Sequence, residues 1–153
     1  MTDVPDTVRE NARLVNEALD ARLPLGDLRV HDAAEHLLTA GGKRLRPALL
    51  MLVADAFGRS PRDTVPPALA VEITHSFTLI HDDVMDDDPL RRGEESVHVR
   101  WDVPTAILTG DYLYSKAFET ALETDTGDET MRRVMETLAE TCTLICEGQA
   151  LDV

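Results

Sequence analysis

The sequence predicts an all-α protein. Aromatic residues make up only 4% of it. Leu, Ala, Val, Glu and Arg are plentiful, a balance that favours helix over the Val/Thr/Tyr-rich alternation of a sheet. Apolar residues recur at intervals of three and four, the period of a helix with one buried face, and Gly and Pro fall between these runs and divide them. At 153 residues and 43% apolar, the chain can bury one sizeable core, and residues 1–153 are expected to form a single domain.

The first helix is expected to open with Thr2 and Asp3 ahead of Pro5, then to carry Val8, Ala12, Val15 and Leu19 on one face until Pro24 and Gly26 stop it. A second helix is read over Val30–Ala40, with Ala33, Ala34, Leu37 and Leu38 inward and Gly41-Gly42 as its end. Pro47 suits a first turn, and the strongly apolar run Ala48–Phe57 is expected to be a buried helix closed by Gly58. Arg59–Pro67 is turn-rich. From Ala68 a long helix is expected to run toward Pro89, followed by a polar loop over Arg91–Pro104. Thr105–Glu123 and Glu129 onward read as two more helices, separated by Thr126-Gly127-Asp128. No stop signal precedes Val153, so the sequence is expected to be a fragment or to have partner elements elsewhere.

The formal net charge is −14, with 29 acidic residues, 13 arginines and two lysines, Lys43 and Lys116. This surface repels nucleic-acid phosphates and anionic lipid, so neither is an expected partner, and any basic patch must be specific. The balance reads as a salt-adapted cytoplasm, with an acidic protein of a GC-rich genome as the alternative. Cys142 and Cys146 lie four apart in a helical pattern, where disulfide geometry is poor, and are expected to be buried small hydrophobes. His31, His36 and His98 do not cluster and read as surface or packing residues, with Trp101 an anchor for the Arg91–Pro104 loop. No stretch approaches the roughly 20 apolar residues of a membrane span, and no leader pattern opens the sequence, so a cytoplasmic location is expected.

Five of the seven residues from Asp82 to Asp88 are aspartates. At ~100° per residue a helix places His75, Leu79, Asp82 and Asp86 near one meridian, and Ile73, Phe77, Ile80 and Val84 on the opposite, buried stripe. Like charges four apart cost roughly 0.2–0.5 kcal/mol per pair unless a cation neutralises them. Mg²⁺ suits that role, because it takes one or two carboxylates and completes its shell with water and phosphate oxygens. A solvated acidic helix end or a loose calcium site remains open. Two cationic elements flank the cluster: Lys43, Arg44 and Arg46 at a helix start, and Arg91-Arg92. Cations at a helix N-terminus oppose its dipole unless an anion binds there, and Gly41-Gly42 would let the backbone approach that anion. Two basic sites around one carboxylate site suit substrates bearing diphosphates.

These residues resemble the polyprenyl synthetase family, the trans-isoprenyl diphosphate synthases. The likeness rests on Gly41-Gly42-Lys43-Arg44-Leu45-Arg46-Pro47, on Glu72 through His75, and on His81-Asp82-Asp83-Val84-Met85-Asp86 with Leu90-Arg91-Arg92-Gly93. It continues through Gly110-Asp111 and Gly148-Gln149-Ala150-Leu151-Asp152. The resemblance implies the N-terminal half of an isoprenoid synthase helical bundle. It implies a magnesium cluster on Asp82 and Asp86 with Asp83 alongside, and an allylic diphosphate contacted by Arg91. Lys43, Arg46, His75 and Arg92 would hold isopentenyl diphosphate, and Gln149 and Asp152 would line the reaction centre less directly. The implied reaction is ionisation of the allylic diphosphate, attack by the isopentenyl double bond and loss of a proton.

In such enzymes the residue five before the first aspartate often sets product length. Here it is Phe77, beside Thr78, which resembles synthases of C15 or C20 products and leans toward geranylgeranyl diphosphate. The helical wheel nevertheless puts Phe77 on the core stripe rather than below Asp82. A homodimer is also implied. The second aspartate-rich motif is absent, so this chain alone is expected to turn over weakly or not at all. A catalytically incomplete fragment, or a non-catalytic small subunit or scaffold partnering a full synthase, is the alternative. A head-to-head condensing enzyme or terpene cyclase shares an aspartate-rich helix, but those families generally lack the Gly-Gly-Lys-Arg-Leu-Arg-Pro element.

Overall fold

The computed structural model describes residues 5–152. Helices dominate in the order α1 (Asp6–Asp20), α2 (Arg29–Thr39), α3 (Leu45–Ala56), α4 (Val65–Met85), α5 (Val97–Arg100), α6 (Val103–Leu122) and α7 (Asp128–Asp152). A 3₁₀ turn over Pro61–Thr64 precedes α4, and a two-stranded ladder, β1 (Leu90–Arg91) and β2 (Glu94–Glu95), follows it. The all-α expectation holds. The cap expected at Thr2 and Asp3 lies outside the described residues, as does Val153.

Helices α4 and α6 form the central pair. Leu69, Ile73, Phe77 and Ile80 of α4 are buried together with Ala106, Leu113 and Ala117 of α6, and Leu14, Val15 and Leu19 of α1 and Ala33, Ala34, Leu37 and Leu38 of α2 complete the same core. Small residues on α6 allow the close approach. A Cβ added at Gly110 would sit 2.8 Å from His81 Cε1 of α4 and closer still to its Cδ2 and Nε2. His81 Nε2 lies 3.2 Å from the Ile107 carbonyl oxygen, so the ring is held in place. Gly110→Ala is therefore expected to cost about 1–3 kcal/mol by overpacking and to lower Tm by roughly 2–12 °C in calorimetry. An unchanged Tm would show that His81 moves aside freely.

Several boundaries differ from the sequence expectation. Helix α4 begins at Val65 rather than Ala68, because Pro66 and Pro67 occupy its first turn, where a missing N–H costs nothing. Helix α6 begins at Val103 rather than Thr105, since the Asp102 carboxylate caps it by accepting from the Thr105 N–H at 2.7 Å. The Arg91–Pro104 segment is not simply a loop. It holds a hairpin turn at Arg92-Gly93, both at positive φ (56° and 87°), as a type I′ turn requires, and then the single turn α5.

Helix α3 is not buried as expected. Only Pro47, Ala48 and Met51 are covered, while Leu49, Val53 and Phe57 are 62%, 51% and 85% exposed. Among the described residues nothing packs on that outer side. Cys142 is buried, but Cys146 is exposed because α7 turns it to a cleft instead of the core, and both thiols are free. His31 packs on the Tyr112 ring, and His36 packs on Trp101 and reaches the Glu95 carbonyl at 2.8 Å. Trp101 thus anchors the segment after the hairpin to α2. No helix of the described residues is long and apolar enough to cross a membrane.

Candidate active site

Helix α4 carries the site because its two faces differ. The core stripe described above is one face. Val71, Thr74, His75, Thr78 and Asp82 line a cleft of about 750 Å³ between α4, α3 and α7. The wheel had put Leu79 on this face, but Leu79 packs against the core and Thr78 takes its place. Leu50 of α3 and Val134, Leu138 and Ile145 of α7 make the cleft largely apolar. A second cleft, about 560 Å³, opens on the other side of Thr78 and Asp82, toward Phe77, His81, Met85 and Ile107. Asp82, Thr78, Ile145 and Gln149 belong to both.

Asp82 and Asp86 project from the C-terminal end of α4, one turn apart. Burial, and then the neighbouring Asp86 and Asp83 carboxylates, push the Asp82 carboxyl above the usual carboxylate range, while Arg91 and His81 pull against them. A negative charge that its surroundings disfavour is what a cation would relieve. Two carboxylates one turn apart are a donor set that suits a hard ion taking its other oxygens from water and phosphate.

Asp83 does not join them. It is 1% exposed, and its Oδ1 accepts from Arg91 Nε at 2.7 Å and also from Nη2. Asp88 Oδ2 lies 3.3 Å from the same Arg91 Nη2. Asp83 therefore holds Arg91 at the acidic end of α4, and its hydrogen bonds raise the Arg91 pKa.

The hairpin turn sends the two adjacent arginines to different places. Arg92 points to the Gly41-Gly42 loop, where its Nη1 donates to the Gly41 carbonyl. A side chain at Gly42, itself at φ 133°, would place its Cβ 3.0 Å from Arg92 Cζ, so a glycine is needed for the guanidinium to lie against this backbone. Burial pushes the Arg92 pKa down, with Arg44 and Arg91 acting in the same direction and Glu72 opposing. Arg46 is exposed at the start of α3, and its Nη1 lies 3.4 Å from His75 Nε2. His75 is pushed toward its neutral form by burial and then by Arg46, which matches an Nε2 that accepts from a guanidinium. Lys43 is exposed just ahead of α3.

Arg44, read from sequence as one of three cations facing an anion, is 5% exposed and turned inward. Its Nη1 donates to Glu72 Oε1 at 2.5 Å, its Nε to Asn16 Oδ1 at 2.8 Å, and its Nη2 to the Leu38 carbonyl at 2.8 Å. Glu72 had no role assigned from sequence. Its signal was there: one carboxylate inside the apolar run Val65–Ile80 must find a partner if the helix is buried. Gln149 lies on the wall shared by both clefts, whereas Asp152 is exposed and lines neither.

Asp82, with Arg46 and His75 beside it on the larger cleft, thus stands on the rim of paired apolar clefts in an all-α bundle, with Asp86 and Arg91 at the same helix end, the layout of an isoprenoid-synthase-type protein. The chain belongs to the polyprenyl synthetase family, whose model matches residues 28–153. It is 47% identical to the geranylgeranyl diphosphate synthase of Methanosarcina mazei, over 97% of this chain and 46% of that protein. It is also 47% identical to the geranylfarnesyl diphosphate synthase of Natronomonas pharaonis, over 98% of this chain and 49% of that protein. Among solved structures, the geranylgeranyl pyrophosphate synthetase of Geoglobus acetivorans superposes with a TM-score of 0.88 at 44% identity, covering 95% of this chain and 48% of that one. The chain spans about half the length of the curated relatives it matches.

Proposed function

We propose that this chain provides the first carboxylate wall and the isopentenyl diphosphate site of a short-chain prenyltransferase. The observation that carries the reading is the position of Asp82 on a rim shared by both apolar clefts, with Arg46 and His75 on the same rim of the larger one. Lys43, Arg46, His75 and Arg92 hold the diphosphate of isopentenyl diphosphate. Arg91, steadied by Asp83, meets the diphosphate of the allylic substrate, and Asp82 and Asp86 would hold Mg²⁺, which would supply positive charge to offset that of the leaving diphosphate. The cleft walls exclude water from the allylic chain, and neutral His75 contributes a ring N–H without adding charge. Gln149 faces the region where the two chains meet. The product is C20, or C15, and the complete enzyme is a cytoplasmic homodimer.

Calorimetric titration of the chain with isopentenyl diphosphate, and with dimethylallyl diphosphate with and without Mg²⁺, tests this. Isopentenyl diphosphate is expected to bind without metal and dimethylallyl diphosphate only with it. Absence of metal-dependent binding of dimethylallyl diphosphate would overturn the metal role of Asp82 and Asp86.

Phe77 is the proposed limit on product length. It is 6% exposed, yet it lines the smaller cleft and stacks edge-to-face on Tyr114 at 5.3 Å. Phe77→Ala, in a chimera with the C-terminal half of the Geoglobus acetivorans protein, is expected to shift products at least one C5 unit longer by chromatography. An unchanged product distribution would refute that role.

A further inference from the structure

We infer that Glu72 is the positioning residue that locks segments 41–46 and 91–93 into one frame for a diphosphate. The inference rests on the proposed isopentenyl diphosphate site. Glu72 is 2% exposed. Its Oε1 takes Arg44 Nη1 at 2.5 Å and lies 3.9 Å from Arg92 Nη2. One buried carboxylate therefore faces a guanidinium from each cationic segment, and those segments lie about fifty residues apart in the chain. In a water-poor setting the attraction is strong, and without the carboxylate Arg44 and Arg92 would face each other as like charges.

The two ends of the frame meet a second time. Arg92 Nη1 donates to the Gly41 carbonyl, while Arg44, at φ 47° just ahead of α3, fastens that loop to α1 and α2 through Asn16 and the Leu38 carbonyl. His75 follows Glu72 by about one turn of α4 and meets Arg46 at the start of α3. Glu72 cannot itself touch an anion, being buried and of like charge. Its effect is to hold Lys43, Arg46 and Arg92 in place before the diphosphate arrives, so that binding orders fewer side chains.

The test compares wild type with Glu72→Gln by guanidinium-detected arginine NMR and by calorimetric Kd for isopentenyl diphosphate without metal. In wild type the Arg92 guanidinium is expected to rotate slowly. In Glu72→Gln it is expected to average, while Arg91, tied to Asp83, stays slow and exposed Arg46 averages in both. Kd is expected to rise about tenfold or more. Ile73→Val, a neighbouring core change, is expected to lower Tm without altering Kd, which separates positioning from mere stability. Should Glu72→Gln not fold, Glu72→Gln/Arg44→Met removes the buried charge imbalance and is expected to show the same Arg92 release and the same rise in Kd. A slowly rotating Arg92 in a folded variant, or a Kd within about twofold of wild type, overturns the inference. If wild type binds no isopentenyl diphosphate but Arg92 is released on substitution, the functional reading falls and the positioning role stands.

Discussion

Asp82→Asn is expected to weaken Mg²⁺-dependent binding of dimethylallyl diphosphate by on the order of 100-fold or more, while making the metal-free protein slightly more stable. The binding loss follows from charge count: with only two carboxylates on this wall, removing one halves the anionic charge available to the ion. The stability gain follows from the same electrostatics. Burial and the Asp86 carboxylate raise the Asp82 carboxyl above its ordinary value. The folded state therefore binds this proton more tightly than the unfolded chain, and stability falls as pH rises through the window between the ordinary and the raised values. Above that window the whole cost is present, and a neutral asparagine removes it. The gain is about 0.2–0.5 kcal/mol, the range for like charges four apart on a helix, or on the order of 1 °C in Tm. Calorimetry at pH 7 and again near pH 4 checks the sign: the variant's advantage should shrink on acidification. A variant less stable than wild type at pH 7 would mean that Asp82 is held by an attraction instead.

Arg44→Met is expected to produce the largest loss of stability among single changes at the site. The ion pair with Glu72 is nearly fully buried, with side chains 4% and 3% exposed. Removing the cation leaves Glu72 with only the more distant Arg92, and also strips Asn16 and the Leu38 carbonyl of their donors. Breaking a buried pair in this way costs about 3–5 kcal/mol, or roughly 6–20 °C in Tm for a chain of this size. Arg44→Met/Glu72→Gln should recover much of the loss, because a neutral pair of similar volume leaves no stranded charge. Thermal unfolding followed by circular dichroism distinguishes the cases. A double variant no better than the single one would show that the bonds to Asn16 and Leu38 outweigh the ion pair.

The all-α class, the six longer helices and the core stripe of α4 were legible because each depends on local periodicity and on Gly and Pro placement. The acidic pair Asp82 and Asp86, the proposed metal ligands, was legible for the same reason, being one turn apart on a single helix. Boundaries were misread where one residue type has two meanings. Pro66 and Pro67 read as turn residues yet begin α4, and the apolar run of α3 reads as buried although much of its outer side is exposed.

The sequence by itself determined that this is a helical protein with an acidic helix end, flanking cations and the motifs of the polyprenyl synthetase family, because spacing along one helix is a property of the backbone alone. Only the tertiary structure decided how the charges are divided. It turned Arg44 inward onto Glu72, sent Arg91 to Asp83 and Arg92 to Gly41, and opened apolar clefts on both sides of Asp82. Those outcomes depend on pairings between residues up to about fifty positions apart and on a two-residue turn at positive φ. No periodicity encodes them; what selects them is the cost of leaving a buried charge without a partner.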